Sequence, residues 1–338
     1  MFLGRGWHAS FLAGRPGPID RVIVLPPTKG VSEPPEYRDD PIEQERFFET
    51  MRQEHFDLAL QIHGGGRYSN PFLLNLGAKV TVGLKTPDAV PLDRWIPYIY
   101  FQSEILRYLE VVSLVGAPPN TLEPRLLLTA PDMNEAWQVV PEREKPLVAL
   151  HPGAGDPQRR WPPEKFAAVG DALARANAHV VVTGTREEQA LVEEVVRTMK
   201  AEAQNICDCI SLGGLASLLS RCRVVVSNDS GPLHLAAAVG VATVGLYWCC
   251  NLYTAGMLTR AYHCPHVSWQ VVCPVCGIDR VFKTCQHRPS FVANIPTHEV
   301  RDSALALFHT TSSHPCFSSA GAFPSVPLSR DRGPRFDR

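Results

Sequence analysis

The stretch 224–240, VVVSNDSGPLHLAAAVG, constrains the fold more strongly than any other part of the chain. It opens with three valines, and such a β-branched apolar run is typical of an interior strand of a parallel sheet. A polar turn and an alanine-rich helix follow, and Pro232 suits the first helical turn because its missing N–H costs nothing there. Gly240 predicts the helix end, since glycine favours the position after the C-cap. The stretch therefore predicts a strand–turn–helix unit of an α/β sheet.

The N-terminus of this helix is a predicted anion site. Its first amides lack intrahelical acceptors and carry partial positive charge. Asp229 or Ser230 is expected to cap the helix by accepting from those amides. His234 lies one turn after Ser230 on the same helix face, so we expect it to point back at the turn. The alternative is a purely structural unit, in which Asp229 only caps the helix and His234 packs in a core.

A second glycine-rich loop, HPGAG at 151–155, follows the buried strand predicted at 147–151. Glycines let the backbone approach a ligand closely, and their amides can hold a phosphate. Loops at the carboxyl ends of parallel strands meet where open α/β sheets bind nucleotides. We therefore expect the two loops to form one site.

Strands and helices alternate in two blocks, and this alternation predicts parallel sheets in both. Six prolines between 118 and 146 predict a linker. The predicted units are an N-terminal Rossmann-like domain at 1–117, the linker at 118–146, a nucleotide-binding domain at 147–310 and a disordered tail at 311–338. The predicted strands are 21–25, 56–62, 78–83, 147–151, 179–183, 223–227 and 241–247, and the predicted helices are 42–55, 68–76, 101–115, 163–176, 187–201 and 214–221.

The overall charge is balanced, with 33 Lys and Arg residues against 34 Asp and Glu residues. This balance argues against a general nucleic-acid or membrane-surface binder. The N-terminus has no signal-peptide pattern, and the most apolar stretch, 235–250, is broken by Gly240 and Gly245. We expect a soluble cytoplasmic protein without a transmembrane segment, and a length of 338 residues predicts two domains.

Three of the ten cysteines form a pattern with metal-ligand spacing. Cys273 and Cys276 make a Cys-x-x-Cys followed by glycine, and Cys285 and His287 come soon after. Thiolates on a tight turn form half of a tetrahedral site, so a structural zinc or iron ion is one interpretation. A second Cys-x-x-Cys is lacking, and reduced core thiols are the alternative.

The residues SNDSGPLHLA at 227–236, together with HPGA at 151–154 and Trp161-Pro162, resemble glycosyltransferase family nine, the ADP-heptose:lipopolysaccharide heptosyltransferase-like group. The resemblance covers 20–308 and is strongest over 147–250. It implies a GT-B fold, in which two Rossmann-like domains face each other across a cleft. It also implies an inverting, metal-independent transfer of a sugar, typically heptose from ADP-heptose, to a lipopolysaccharide core. Peripheral contact with the inner face of the inner membrane is compatible with such an acceptor.

The resemblance further implies roles for particular residues. Arg159 or Arg160 would neutralise charge on the leaving group, although basic loop residues are usually just solvated. Glu187 or Glu188 would accept from ribose hydroxyls, or would simply lie in the first turn of the next helix. The residues assigned to the donor are His151, Pro152, Gly153, Ala154, Trp161, Thr183, Gly184, Glu187, Glu188, Asn228, Asp229, Ser230, Gly231 and His234.

The N-terminus departs from the family pattern. The family opens with a strand, a Gly-Asp turn that carries the general base, and a helix. We expect this chain to lack that unit, because the true start codon lies upstream or because the chain is a natural fragment or a degenerate relative. His63 could substitute as the base, since its ordinary pKa lies near neutrality, or it contacts the acceptor or packs under its loop. The competing functions are therefore a glycosyltransferase, a nucleotide-sugar epimerase and a catalytically silent nucleotide-sugar-binding relative.

Overall fold

The N-terminal half contains two small parallel sheets in the computed structural model, which describes residues 1–33, 36–38, 40–259 and 262–310. One sheet pairs β1 with β2, and the other has the order β3-β4-β5. Phe48, Met51 and Phe72 bring the helices onto the second sheet through a shared apolar cluster. The elements are β1 (Phe2–Gly4), α1 (Gly6–Leu12), β2 (Val22–Val24), α2 (Pro41–Arg52), β3 (Leu58–Leu60), α3 (Ser69–Leu74), β4 (Val80–Lys85), β5 (Arg94–Pro97) and α4 (Glu104–Ser113).

A short strand–helix unit precedes β2, so our prediction that none exists is wrong. β1 runs parallel to β2, with Phe2 opposite Val22, and the Phe2 N–H donates to the Arg21 carbonyl over 2.8 Å. The strand has three residues, and α1 buries none of its side chains. Neither element therefore has a repeating pattern of apolar residues by which it could be recognised in the sequence. The turn between them holds Arg5 rather than a carboxylate.

The predicted linker at 118–146 contains a helix, α5 (Ala130–Val139). Its start is well specified: Thr129 and Asp132 form a reciprocal capping box, and Pro131 lies in the first turn. Asp132 also pairs with Arg15 over 2.8 Å, which ties the helix to the N-terminal half. Prolines that we interpreted as breakers of structure thus include one that begins a helix.

A six-stranded parallel sheet organises the C-terminal half, in the order β11-β10-β9-β6-β7-β8. Its strands are β6 (Leu147–His151), β7 (His179–Val182), β8 (Ala203–Asn205), β9 (Cys222–Asn228), β10 (Ala242–Trp248) and β11 (His263–Ser268). Its helices are α6 (Pro163–Arg175), α7 (Gln189–Thr198), α8 (Leu212–Ser220), α9 (Gly231–Ala238), α10 (Cys249–Ala255) and α11 (Thr297–Thr310), with 3₁₀ turns at Pro157–Arg159 and Arg186–Glu188.

Helices cover both faces of this sheet, and the strands are apolar on both sides as a result. Val224 and Val226 face the cluster formed with α6, α7 and α11, whereas Val225 faces the cluster formed with α5, α8 and α9. Since successive side chains of a strand point to opposite faces, the three-valine run contributes to the hydrophobic clusters on both faces of the sheet. The predicted parallel α/β fold is confirmed.

Several elements were not predicted from the sequence, namely β5, β8, β11, α10 and α11. β8 has only three residues, and β5 ends at a proline. The predicted tail at 311–338 lies outside the described residues. Within the part of the chain that the structure describes, no helix combines the length and the apolar character needed to cross a membrane.

Gly240 ends α9 as predicted, with a φ angle of +82°. A Gly240→Ala substitution should lower the free energy of unfolding by about 1–2 kcal/mol, because alanine is strained in the left-handed region. Gly231→Ala at the other end of the same helix is the matched control, since a Cβ there meets no atom within 4 Å. Urea unfolding followed by circular dichroism measures both. Equal stability of the two variants would contradict the assignment of Gly240 as a conformationally required glycine.

Candidate active site

The two glycine-rich loops meet at the carboxyl ends of β6 and β9, which are neighbours in the sheet. His151, the last residue of β6, lies opposite Ser227 on β9. The loop after β6 therefore begins beside the turn that precedes α9. The structure brings together the two loops that the sequence analysis assigned to one site.

Asn228 joins the two loops through its side-chain amide. Its Nδ2 donates to the Pro152 carbonyl over 2.7 Å, and its Oδ1 accepts from the Trp161 backbone N–H over 3.0 Å. Both ends of the loop that follows β6 are thereby held against β9. Asn228 is 0 % exposed. It therefore positions the loop rather than contacting a ligand directly, which corrects its assignment to the donor.

Trp161 is also buried, which corrects its assignment as a donor contact. Its indole Nε1 donates to the Ile295 carbonyl over 3.1 Å, and its ring packs edge-on against Phe166. Its side chain is fully enclosed in the core beneath α6. Trp161 thus anchors the end of the loop.

Asp229 is the centre of an ionic cluster at the N-terminus of α9. Its Oδ2 lies 3.0 Å from Arg159 Nη1, and its Oδ1 lies 3.2 Å from His234 Nε2. The carboxylate is 3 % exposed, whereas the side chains of Arg159 and His234 are 29 % and 40 % exposed. A buried carboxylate thus fixes two cationic or polar groups that remain accessible. The prediction that His234 points back at the turn is confirmed.

Neither Asp229 nor Ser230 caps α9, so that prediction is wrong. The N-cap residue, Ser230, makes no capping bond, and its Oγ donates instead to the Asn228 carbonyl over 3.2 Å. Asp229 is engaged with Arg159 and His234. The first turn of the helix, which begins at Gly231, therefore receives no acceptor from either side chain and retains its capacity for an external anion.

The structure distinguishes between the two adjacent arginines. Arg159 pairs with Asp229 and lines a cleft, whereas the Nε of Arg160 donates to the Ala154 carbonyl over 2.9 Å. Arg160 therefore braces its own loop. Of the two guanidinium groups, the one of Arg159 therefore lies at the cleft.

His151 lies beneath the first loop in a buried polar cluster. Its Nδ1 is 2.9 Å from Thr183 Oγ1, and its Nε2 is 4.0 Å from the carboxylate of Glu188. A Cβ atom on Gly153 would collide with that carboxylate, so only glycine lets the loop pass here. Burial lowers the pKa of His151 to about 4, with Glu188 acting in the opposite direction. The imidazole is therefore neutral at physiological pH.

Of the two glutamates, Glu188 agrees with the second alternative given above, in which the side chain lies at the start of the next helix. It is buried, and its carboxylate accepts from the Thr185 N–H over 3.0 Å in a capping box. Glu187 is exposed, and hydrogen bonds from its own backbone N–H and from the Thr185 hydroxyl lower its pKa. Gly184, next to Thr185, is packed against Val192, which leaves no room for a side chain.

A cleft of about 320 Å³ opens between the two halves of the chain beside Arg159. Its volume lies at the lower end of the range typical of small-molecule sites. Most of its lining residues were not predicted from the sequence, although Trp248 directly follows the predicted strand 241–247 and ligands bind beyond such strand ends in open sheets. The lining residues are Tyr100, Asp156, Gln158, Arg159, Trp248, Cys250, Asn251, Thr254, Arg280 and Phe291.

His63 is exposed on the loop after β3 and does not line this cleft. Its carbonyl accepts from Ser69 Oγ over 2.7 Å and from the side-chain amide of Gln61. The loop is therefore held by its backbone, and the imidazole is left free of the core. The hypothesis that His63 packs under the loop is wrong.

The predicted cysteine pattern forms a compact cluster. The ligand atoms of Cys273, Cys276, Cys285 and His287 all lie within 4.8 Å of one another. The three sulfurs and the imidazole are therefore assembled from two separate parts of the sequence.

Comparison with known families gives a match to the model described as glycosyltransferase family 9 (heptosyltransferase), over residues 44–264. Among curated proteins, lipooligosaccharide heptosyltransferase 2 of Haemophilus influenzae is 31% identical over 111 residues, which are 31% of this chain and 32% of that protein. The matching stretch thus spans about a third of the length of that relative.

Two solved structures have a similar fold over most of the chain. A family 9 glycosyl transferase from Veillonella parvula has a TM-score of 0.73 at 18% identity, covering 91% of this chain and 88% of its own. ADP-heptose lps heptosyltransferase II of E. coli has a TM-score of 0.69 at 17% identity, covering 92% and 89%. The predicted GT-B type fold is confirmed by these neighbours.

The buried His151 makes stability depend on pH in a predictable direction. Its pKa is lower in the folded chain than the ordinary value of 6.5, so the unfolded chain binds the extra proton. The contribution of the neutral His151 imidazole to stability should therefore be fully present above pH 6.5 and should be lost as the pH drops towards 4. Urea unfolding of the wild type and of His151→Asn, compared across this window, measures the effect.

His298→Asn, which changes an exposed histidine of α11, is the control for this comparison. It should keep the wild-type pH dependence, whereas His151→Asn should lose the part between pH 6.5 and 4. Identical pH profiles for the wild type and His151→Asn would contradict the burial of a neutral imidazole.

Proposed function

Because the chain belongs to glycosyltransferase family 9, we propose that it transfers heptose from ADP-heptose to a lipopolysaccharide-core acceptor, with inversion at the sugar carbon and without a metal ion at the reacting centre. The activities of similar proteins support this donor and acceptor, since these proteins are a lipooligosaccharide heptosyltransferase and an ADP-heptose lipopolysaccharide heptosyltransferase. The family assignment does not favour the epimerase alternative. The proposal places the reaction in the cytoplasm, at the inner face of the inner membrane.

The observation that carries the proposal is the cluster of Asp229, Arg159 and His234 at the start of α9. Departure of a nucleoside diphosphate leaves negative charge, which preorganised donors stabilise most effectively. Asp229 holds the Arg159 guanidinium beside the cleft, next to helix amides that no side chain of the turn caps. A guanidinium suits this role because its planar donors match phosphate oxygens. The diphosphate would therefore bind between Arg159 and the first turn of α9.

The rest of the donor would occupy the C-terminal half. The neighbouring loops at 151–155 and 183–188 lie at the carboxyl ends of β6 and β7, where open sheets bind nucleotides. Glu187, which is exposed at the start of its 3₁₀ turn, is the available acceptor for a ribose hydroxyl. Thr183 and Glu188 would act indirectly, because both are engaged with His151.

The acceptor hydroxyl needs a base as it attacks, and such help typically contributes about 10²–10⁴-fold. The turn after β1 carries Arg5 in place of a carboxylate. We propose His63 as the base, since its imidazole is exposed on the loop after β3 and that loop is held by backbone contacts. The replacement of a carboxylate by Arg5 in this turn also motivates the second candidate function. In that function the protein binds a nucleotide sugar but does not transfer the sugar.

Arg159 and Arg160 form a matched pair for testing the donor site. Arg159→Gln should reduce kcat by about 10²–10³-fold with a smaller effect on ADP affinity, because charge builds up in the transition state. Arg160→Gln should have a much smaller effect on kcat, since its side chain braces the Ala154 carbonyl. Steady-state transfer assays and calorimetric titration with ADP separate the two quantities. A larger loss of kcat in Arg160→Gln than in Arg159→Gln would refute the assignment.

His63→Ala tests the proposed base. The variant should lose about 10²-fold or more in kcat while binding ADP as the wild type does, because the base acts on the acceptor. His298→Ala on α11 is the control. Wild-type turnover in His63→Ala would eliminate His63 as the base, and donor binding without transfer by the wild type would favour the silent alternative.

A further inference from the structure

The segment 269–296 lies between β11 and α11. It contains the cysteine cluster, and its core residues Phe291, Val292 and Ile295 lie at its C-terminal end. In this segment the structure describes no helix or named strand, only an isolated bridge between Val272 and Asp279. No residue from 274 to 290 is buried, and Phe282 is 78 % exposed. Apolar burial therefore contributes little to the order of residues 274–290, which include three of the four cluster residues. Segments of this kind usually depend on another constraint, such as a bound metal ion.

The first half of the cluster is a tight hairpin. The Cys273 N–H donates to the Ile278 carbonyl over 2.9 Å, and the Gly277 N–H donates to the Cys273 carbonyl over 2.9 Å. Gly277 has a φ angle of +72°, which favours glycine at this position. The hairpin thereby turns the sulfurs of Cys273 and Cys276 towards the same point.

Cys285 and His287 complete the set. All four ligand atoms lie within 4.8 Å of one another, whereas a tetrahedral site with Zn–S bonds of about 2.3 Å has sulfur–sulfur separations of about 3.8 Å. Binding would require the ligands to move together by about 1 Å at most. All nine cysteines in the described ranges are free, so no disulfide competes for these three thiols there.

Arg280 supplies the charge that such a site would need. Three thiolates, one neutral imidazole and one divalent ion carry a net charge of −1. The Nη1 of Arg280 lies 3.1 Å from both the sulfur and the carbonyl oxygen of Cys285. A guanidinium donating to a ligand sulfur is an outer-shell interaction of the kind that orients ligands and tunes affinity.

We propose that Cys273, Cys276, Cys285 and His287 bind one Zn²⁺ ion in a closed tetrahedral site, with Arg280 as its outer-shell partner. Three thiolates and one imidazole are a standard ligand set for structural zinc, and the absence of an open position excludes a hydrolytic role for the ion. The four ligands are distinct from the residues of the Asp229 cluster, and the existence of the site does not depend on the proposed transferase activity.

The zinc site would also fix part of the cleft. The Nη2 of Arg280 donates to Gln158 Oε1 over 3.0 Å, and both side chains line the cleft beside Arg159. Zinc would therefore hold a cationic side chain at a fixed place in the cleft wall.

The test uses the full chain, purified under reducing conditions, and measures metal directly. Elemental analysis should find one zinc per chain, and replacement by Co²⁺ should give the visible absorption of tetrahedral cobalt with thiolate ligands. Cys276→Ser should lose the metal, whereas Cys209→Ser, at an exposed cysteine outside the cluster, should retain it. A wild-type chain that binds neither zinc nor Co²⁺ in this way, or that holds iron instead, would overturn the proposal.

A second comparison tests the role of Arg280, and its outcome does not depend on whether a cysteine variant folds. Arg280→Ala should weaken zinc affinity by about 10–100-fold, measured by competition with a chromophoric chelator. Arg288→Ala is the matched control, because Arg288 reaches Gln158 over 3.4 Å and contacts no cluster sulfur. Equal zinc affinities in the two variants would remove Arg280 from the site.

Discussion

The buried amide of Asn228 is the interaction on which the site depends. It sits at the end of β9, where the three-valine run has already fixed the strand in the sheet. From there it holds both Pro152 and Trp161, the two ends of the loop after β6. Removing the amide would leave a carbonyl and an N–H unpaired, and each buried unpaired group typically costs about 1–3 kcal/mol. The path of the loop is thus set by one side chain of the neighbouring strand.

The ionic cluster follows from that path. With Trp161 anchored in the core, the loop carries Arg159 to the carboxylate next in sequence to Asn228. A buried carboxylate is costly unless it is paired, and Arg159 and His234 supply the partners for Asp229. Asp229 is therefore a positioning residue, which explains why it is not available as a helix cap.

The predictable parts of the structure were those with long, periodic apolar signals. Strands such as β6 and β9 can be recognised in the sequence by their contiguous apolar residues. Gly240 can be recognised by its position directly after a predicted helix. β1 and α1 lack such a signal, because neither is long enough or buried enough to impose a period. At the site, contiguous motifs identified the loops, but not the direction of each side chain. Whether Arg159 or Arg160 faces Asp229 depends on contacts with residues about 70 positions away.

The loop that carries Arg159 is held from two sides. Asn228 fixes it to the sheet, and the segment before α11 fixes it from the other side, since the Phe291 N–H donates to the Gln158 carbonyl over 2.8 Å and Ser290 Oγ donates to the Arg160 carbonyl over 2.6 Å. A loop restrained in this way keeps its guanidinium oriented before any donor arrives. Stabilisation of a leaving group is most effective when the donors need not reorganise during the reaction. The segment that carries the cysteine cluster therefore restrains the same loop whose guanidinium Asp229 orients.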